Sequence, residues 1–157
     1  MYRTVIIVVS LLSGLFTGNS FSAEMTDEHK NWLKDKFSAQ HEKLIPIVAV
    51  ADMYFACNQA RKVEPVNQEV KALINQLDRN VLAEKLSACL QGDLPNSDAA
   101  LNFGLIGCFH EQLKELPKED RAIKKKLVLQ AIARLSKAER QKSLTQCVTD
   151  QAIGYLK

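Results

Sequence analysis

The chain has 157 residues, with 21 Lys and Arg against 18 Asp and Glu and a formal net charge of +3. That length makes one ordinary domain, long enough that disulfides are not needed merely to have a core. No nucleic-acid partner is expected, because the aromatic residues do not interleave with the basic ones and the chain opens with an export signal.

Residues 1–22 read as a signal peptide. Met1-Tyr2-Arg3-Thr4 is a short basic start, residues 5–16 are an apolar run, and small residues follow at Gly18, Ser20, Ser22 and Ala23. Cleavage is expected after Ser22 or Ala23, which leaves a domain over 24–157. The apolar run is shorter than the ~20 residues of a spanning helix, and no cysteine lies near the cleavage site, so neither a membrane anchor nor a lipoprotein is expected. No Asn-x-Ser/Thr triplet occurs. The expected location is periplasmic or secreted.

The mature part reads as all-α, a single disulfide-stapled domain of about six to seven helices. Thr26 caps a first helix with Asp27 and Glu28 in its opening turn and Trp32, Leu33 and Phe37 as its apolar positions. Charges fill most of the remainder, so this helix is expected on the outside and easily detached. Residues 44–57 carry one charge, Asp52, and predict a buried helix reaching Arg61 with Pro46 in its first turn. Val66, Val70, Leu73, Ile74 and Leu77 make a one-sided stripe. Leu82, Leu86, Cys89 and Leu90 follow on a short helix closed by Gly92. After the linker 94–97, the uncharged stretch 99–109 opens a second central helix that carries Leu101, Leu105, Cys108, Phe109, Gln112 and Leu116 and breaks at Pro117. Ile123, Leu127, Val128, Ala131, Ile132 and Leu135 predict the next helix. Ser136 and Glu139 fit a capping box that opens the last, with Leu144, Cys147 and Val148. The segments 44–57 and 99–109 are the expected central pair.

The two halves resemble versions of one unit, over 44–92 and 98–154. A shift of 58 carries Val70, Ile74, Leu77, Leu86, Cys89 and Leu90 onto Val128, Ile132, Leu135, Leu144, Cys147 and Val148. A shift of 51 carries Val50, Tyr54 and Cys57 onto Leu101, Leu105 and Cys108, so the second unit is seven residues longer between its cysteines. All four cysteines lie in the mature part, and in an oxidising compartment an even count reads as two bridges. The repeat favours Cys57–Cys89 with Cys108–Cys147; the next arrangement is Cys57–Cys108 with Cys89–Cys147. Gly104 and Gly107, three apart on one helix face, are expected to let another backbone approach.

The common reaction signatures are absent: no Gly-rich phosphate loop, His-Glu-x-x-His, Gly-x-Ser-x-Gly, Cys-x-x-Cys or Asp-rich calcium loop occurs. No enzyme activity, cofactor or metal is expected. The only metal set the sequence suggests is His110 with Cys108 and a second cysteine, and it requires reduced thiols. Asp52, alone on an apolar helix, is expected to face a groove, cap a helix end or pair with Arg or Lys. Residues 24–110 hold 9 basic and 12 acidic side chains, whereas 111–157 hold 11 and 6. Arg121, Lys124, Lys125, Lys126, Arg134, Lys137 and Arg140 therefore form a candidate binding surface for an acidic protein or an anionic envelope surface. The expected function is an exported, non-catalytic protein-binding domain, such as an inhibitor or immunity protein against an envelope-acting enzyme or toxin. The alternatives are a periplasmic chaperone or stress protein exposing apolar surface and, third, an all-α enzyme using Asp52.

Overall fold

A computed structural model of the chain describes residues 26–65 and 67–156, with the Leu33 side chain excepted. The expected signal peptide and Val66 lie outside the described residues. Among those described there are six helices and no strand: α1 Asp27–Arg61, α2 Val70–Gln76, α3 Arg79–Leu90, α4 Asp98–Leu113, α5 Lys118–Arg134 and α6 Lys137–Tyr155. No described helix is long and apolar enough to cross a membrane.

The two helices expected over residues 26–61 are one. Pro46 lies inside α1 rather than in a first turn. Proline donates no hydrogen bond, so the Glu42 carbonyl loses its partner four residues on. Both Glu42 and Pro46 are exposed, and water can serve that carbonyl. The first fourteen residues of α1 run past the core with their described side chains exposed, Trp32 and Phe37 included. The first anchor is His41, whose Nε2 donates to the Thr149 carbonyl at 2.9 Å.

The helix boundaries follow their caps. Thr26, Asp78, Ser97 and Ser136 each accept a backbone N–H at the start of a helix, and Ser136 completes its capping box with Glu139. α3 stops at Leu90, where Gln91 and then Gly92 take positive φ. α4 ends at Leu113, short of Leu116, and Pro117 begins α5 instead of ending α4.

α1 and α4 form the central pair, and α6 packs on both. Their contact explains the two glycines. A Cβ on Gly107 would stand 2.2 Å from the Asp52 carbonyl oxygen, so α4 lies directly on the α1 backbone there. A Cβ on Gly104 would meet the Leu144 methyls at 2.8 and 2.9 Å.

Both staples join the first helix of a unit to its last: Cys57–Cys89 spans 32 residues and Cys108–Cys147 spans 39, and no described cysteine is free. Within each unit the first helix packs on the other two, α1 on α2 and α3, and α4 on α5 and α6. On the 58-residue shift, α3 and α6 begin at equivalent positions, 79 and 137, and α2 and α5 end at equivalent positions, 76 and 134. Their starts differ. α2 begins at 70, the counterpart of 128, so the first ten residues of α5 have no helical equivalent and absorb the extra length of the second unit.

Candidate functional site

Two features stand apart from ordinary packing: a polar chain through the core and the outer face of α5. The polar chain begins at Asp52, which is fully buried. Its Oδ1 accepts from Gln151 Nε2 at 3.2 Å. Gln151 Nε2 also reaches the Tyr155 hydroxyl at 3.3 Å, and Tyr155 donates to Glu111 Oε2 at 3.1 Å. Lys114 Nζ closes the series on the same Glu111 oxygen at 2.7 Å. The helical period places these groups together, since Gln151 and Tyr155 are four apart on α6, and Gly107 and Glu111 four apart on α4. Asp52 thus pairs with an amide rather than with Arg or Lys, and it meets no groove. Burial pushes its carboxyl well above the usual carboxylate range; the Gln151 hydrogen bond opposes this and the Glu111 charge adds to it. A neutral carboxyl needs no cation, which is why an amide suffices. Asp52 Oδ2 and Gln151 Oε1 both lack partners, and a proton on Oδ2 turns one of these two acceptors into a donor. Burial also raises the Tyr155 hydroxyl, keeping it a donor. This chain ties α1, α4 and α6 together and offers no exposed nucleophile.

No protein-family model, curated protein or solved structure matches the chain. Its chemistry therefore has to be read from its own surfaces.

α5 packs chiefly on α4 and has one fully buried residue, Ile132. The expected stripe of Ile123, Leu127, Val128, Ala131, Ile132 and Leu135 is divided: Ile123 and Leu127 are 61% and 52% exposed. At about 100° per residue they sit on the side opposite Ile132, some 40° from each other, with Lys126 and Lys124 each about 60° to either side. A helix with a single neighbour has only one covered side, and the outer apolar pair remains in water. Of the seven expected surface cations, two are engaged internally. Arg121 donates to the Lys114 and Leu116 carbonyls at 2.6 and 3.0 Å, closing the end of α4. Arg140 pairs with Asp98 at 2.6 Å. Lys124, Lys125, Lys126, Arg134 and Lys137 are exposed, and Lys125 borders a small cleft between α4 and α5 lined by Ile106, Phe109 and Val128.

The loop between α1 and α2 is fastened by a second polar network. Asn58 and Glu64 exchange two hydrogen bonds, of 3.1 and 2.8 Å, between the amide side chain and the Glu64 backbone. The Glu64 carboxylate accepts from Tyr54 at 2.8 Å and pairs with Lys85. Both donors hold that carboxyl below its ordinary range, Lys85 more strongly. Of the histidines, His29 is exposed and His110 packs against Phe55 at 4.6 Å between ring centres. Because Cys108 is bonded to Cys147, the cysteine-based metal set fails for want of a thiol. Glu111, Gln151 and Tyr155 went unmarked in the sequence. Only the four-residue spacings from Gly107 to Glu111 and from Gln151 to Tyr155 could have pointed to them.

Proposed function

We propose that this protein is an exported, non-catalytic binding module that engages an acidic partner protein through the outer face of α5. One observation carries the reading: the ten residues of α5 without a helical counterpart in the first unit, 118–127, are the ones that hold Ile123 and Leu127 between Lys124 and Lys126. An apolar pair flanked by Lys124 and Lys126, with Glu119 and Asp120 one turn before it, suits a partner with a small apolar contact bearing carboxylates on the sides that meet the two lysines. Two staples support a binding role, because a contact helix on a rigid frame loses little freedom on association. They also fit an oxidising compartment, in keeping with the signal peptide expected over residues 1–22. The enzyme alternative draws no support from Asp52, whose carboxyl is enclosed by the core.

The test compares the oxidised mature chain with an Ile123→Gln/Leu127→Gln double variant and a Lys124→Glu/Lys126→Glu double variant, each immobilised and presented with periplasmic extract. An acidic protein that forms a one-to-one complex with the parent, leaves in high salt and binds neither variant is the expected result. Retention of the same proteins by all three forms, or by none, contradicts the proposal.

A second reading, a chaperone exposing apolar surface, is favoured by one observation: Trp32 and Phe37 stand in water on the projecting start of α1. It predicts that the protein binds an apolar dye and slows aggregation of a client, and that Trp32→Ser/Phe37→Ser abolishes both effects.

A further inference from the structure

The geometry points to a divalent transition-metal site formed by Glu69, His110 and Glu111, independent of the α5 surface. Each of these residues has a ligand atom within 4.8 Å of the ligand atoms of the other two, and His110 Nε2 is 3.5 Å from Glu69 Oε2. Glu69 is 41 residues from His110 in the chain and offers no motif spacing, so the site exists only in the fold.

Each ligand is positioned for a different reason. Glu69 ends the loop pinned by Asn58 and Glu64 and is the N-cap residue of α2, yet spends no side-chain hydrogen bond there. His110 is oriented by the Phe55 ring against which it packs. Glu111 is buried, with a side chain only 5% exposed. Tyr155 and Lys114 hold it through Oε2, and Oε1 is buried without a partner. A carboxylate fixed through one oxygen with the other unclaimed is the arrangement in which outer groups orient a metal ligand. Ligands about 2.0–2.2 Å from a tetrahedral ion stand about 3.4 Å from each other, close to the 3.5 Å between His110 and Glu69, so closing on an ion needs small side-chain shifts. Glu69 can supply that movement, because its side chain is 70% exposed.

One imidazole and two carboxylates suit a borderline ion such as Zn2+, with water in the open position; Mg2+ and Ca2+ prefer oxygen ligands throughout. Lys114 stands beside the site and repels a second cation, so it weakens binding.

The experiment is calorimetric titration of the tag-free, oxidised mature chain with Zn2+ and separately with Mg2+. One Zn2+ per chain and no measurable Mg2+ binding are expected. Glu69→Gln and His110→Gln each weaken Zn2+ binding by about tenfold or more, whereas His29→Gln leaves it unchanged and Lys114→Met tightens it. The exposed Glu69 side chain makes Glu69→Gln harmless to the fold, which an unchanged metal-free melting curve verifies. Absence of saturable one-to-one Zn2+ binding, or full affinity retained in both Glu69→Gln and His110→Gln, overturns the site.

Discussion

Asp52 shows how much one buried side chain asks of its surroundings. In an unfolded chain an aspartate ionises near pH 3.9. In the folded protein burial raises that value well above the ordinary range. Between the two values the native state holds a proton that the unfolded state has released, so stability falls as pH rises through this window. Asp52→Asn keeps an amide-sized polar group beside Gln151 and removes the penalty. The variant is expected to melt higher than the parent at pH 8, with the difference shrinking towards pH 4; a lower melting temperature at pH 8 contradicts this assignment. Gly107 makes the opposite demand, for nothing at all. Its missing Cβ would strike the Asp52 backbone, which cannot swing aside as a side chain does. Gly107→Ala should therefore cost about 3 kcal/mol or more in urea unfolding. Gly104→Ala, which meets only side-chain atoms, the Leu144 methyls and Met53 Cγ, should cost nearer 1 kcal/mol. Equal losses at the two positions would remove the backbone argument. The oddity of Asp52 and the spacing of the glycines were legible in the sequence. The partners of this cluster were not, since Gln151 lies 99 residues from Asp52 and Tyr155 lies 44 from Glu111. Ordinary polar residues so far apart give no local sign of meeting.

Among the elements, α1 and α5 depart most from what their sequences suggest, and for related reasons. A periodic stripe says that a helix has an apolar side; it does not say which side a neighbour covers, or whether there is a neighbour. α5 carries apolar residues all round and has one principal contact, with α4, so Ile123 and Leu127 face outward. Replacing them with glutamine should leave the unfolding free energy within about 0.5 kcal/mol, as for other exposed positions, while removing partner binding. A loss of several kcal/mol would mean that the pair packs inward. α1 hides its join because proline usually marks a helix start, and an exposed internal proline gives the same signal. Nothing among the described side chains before His41 is buried. A chain beginning at Gln40 should thus keep its unfolding midpoint within the equivalent of about 1 kcal/mol, measured by urea titration, and a collapse of stability would show that the projecting turns are covered.

At the scale of the whole molecule, the architecture was the most readable part, because two kinds of information agreed. Apolar stripes placed the helices, and the matching offsets of Cys57 and Cys108 from Val50 and Leu101 suggested which cysteine each would meet. The structure joins Cys57 to Cys89 and Cys108 to Cys147. What the sequence could not convey was where the second unit spends its extra seven residues. They lengthen the start of α5, where no residue before Ile132 is buried, so the added length enlarges the surface without disturbing the core. Each staple closes a loop of a size expected to add about 3–4 kcal/mol on the chain-entropy account. The proposed roles of α5 and of the Glu69–His110–Glu111 cluster depend on that frame. Non-reducing peptide mapping of the protein expressed with its full N-terminal sequence tests it most directly. The account predicts a mature chain starting at Ala23 or Glu24, with Cys57 joined to Cys89, Cys108 to Cys147, and no free thiol. Bridges between the two units, or four reduced cysteines, would contradict it.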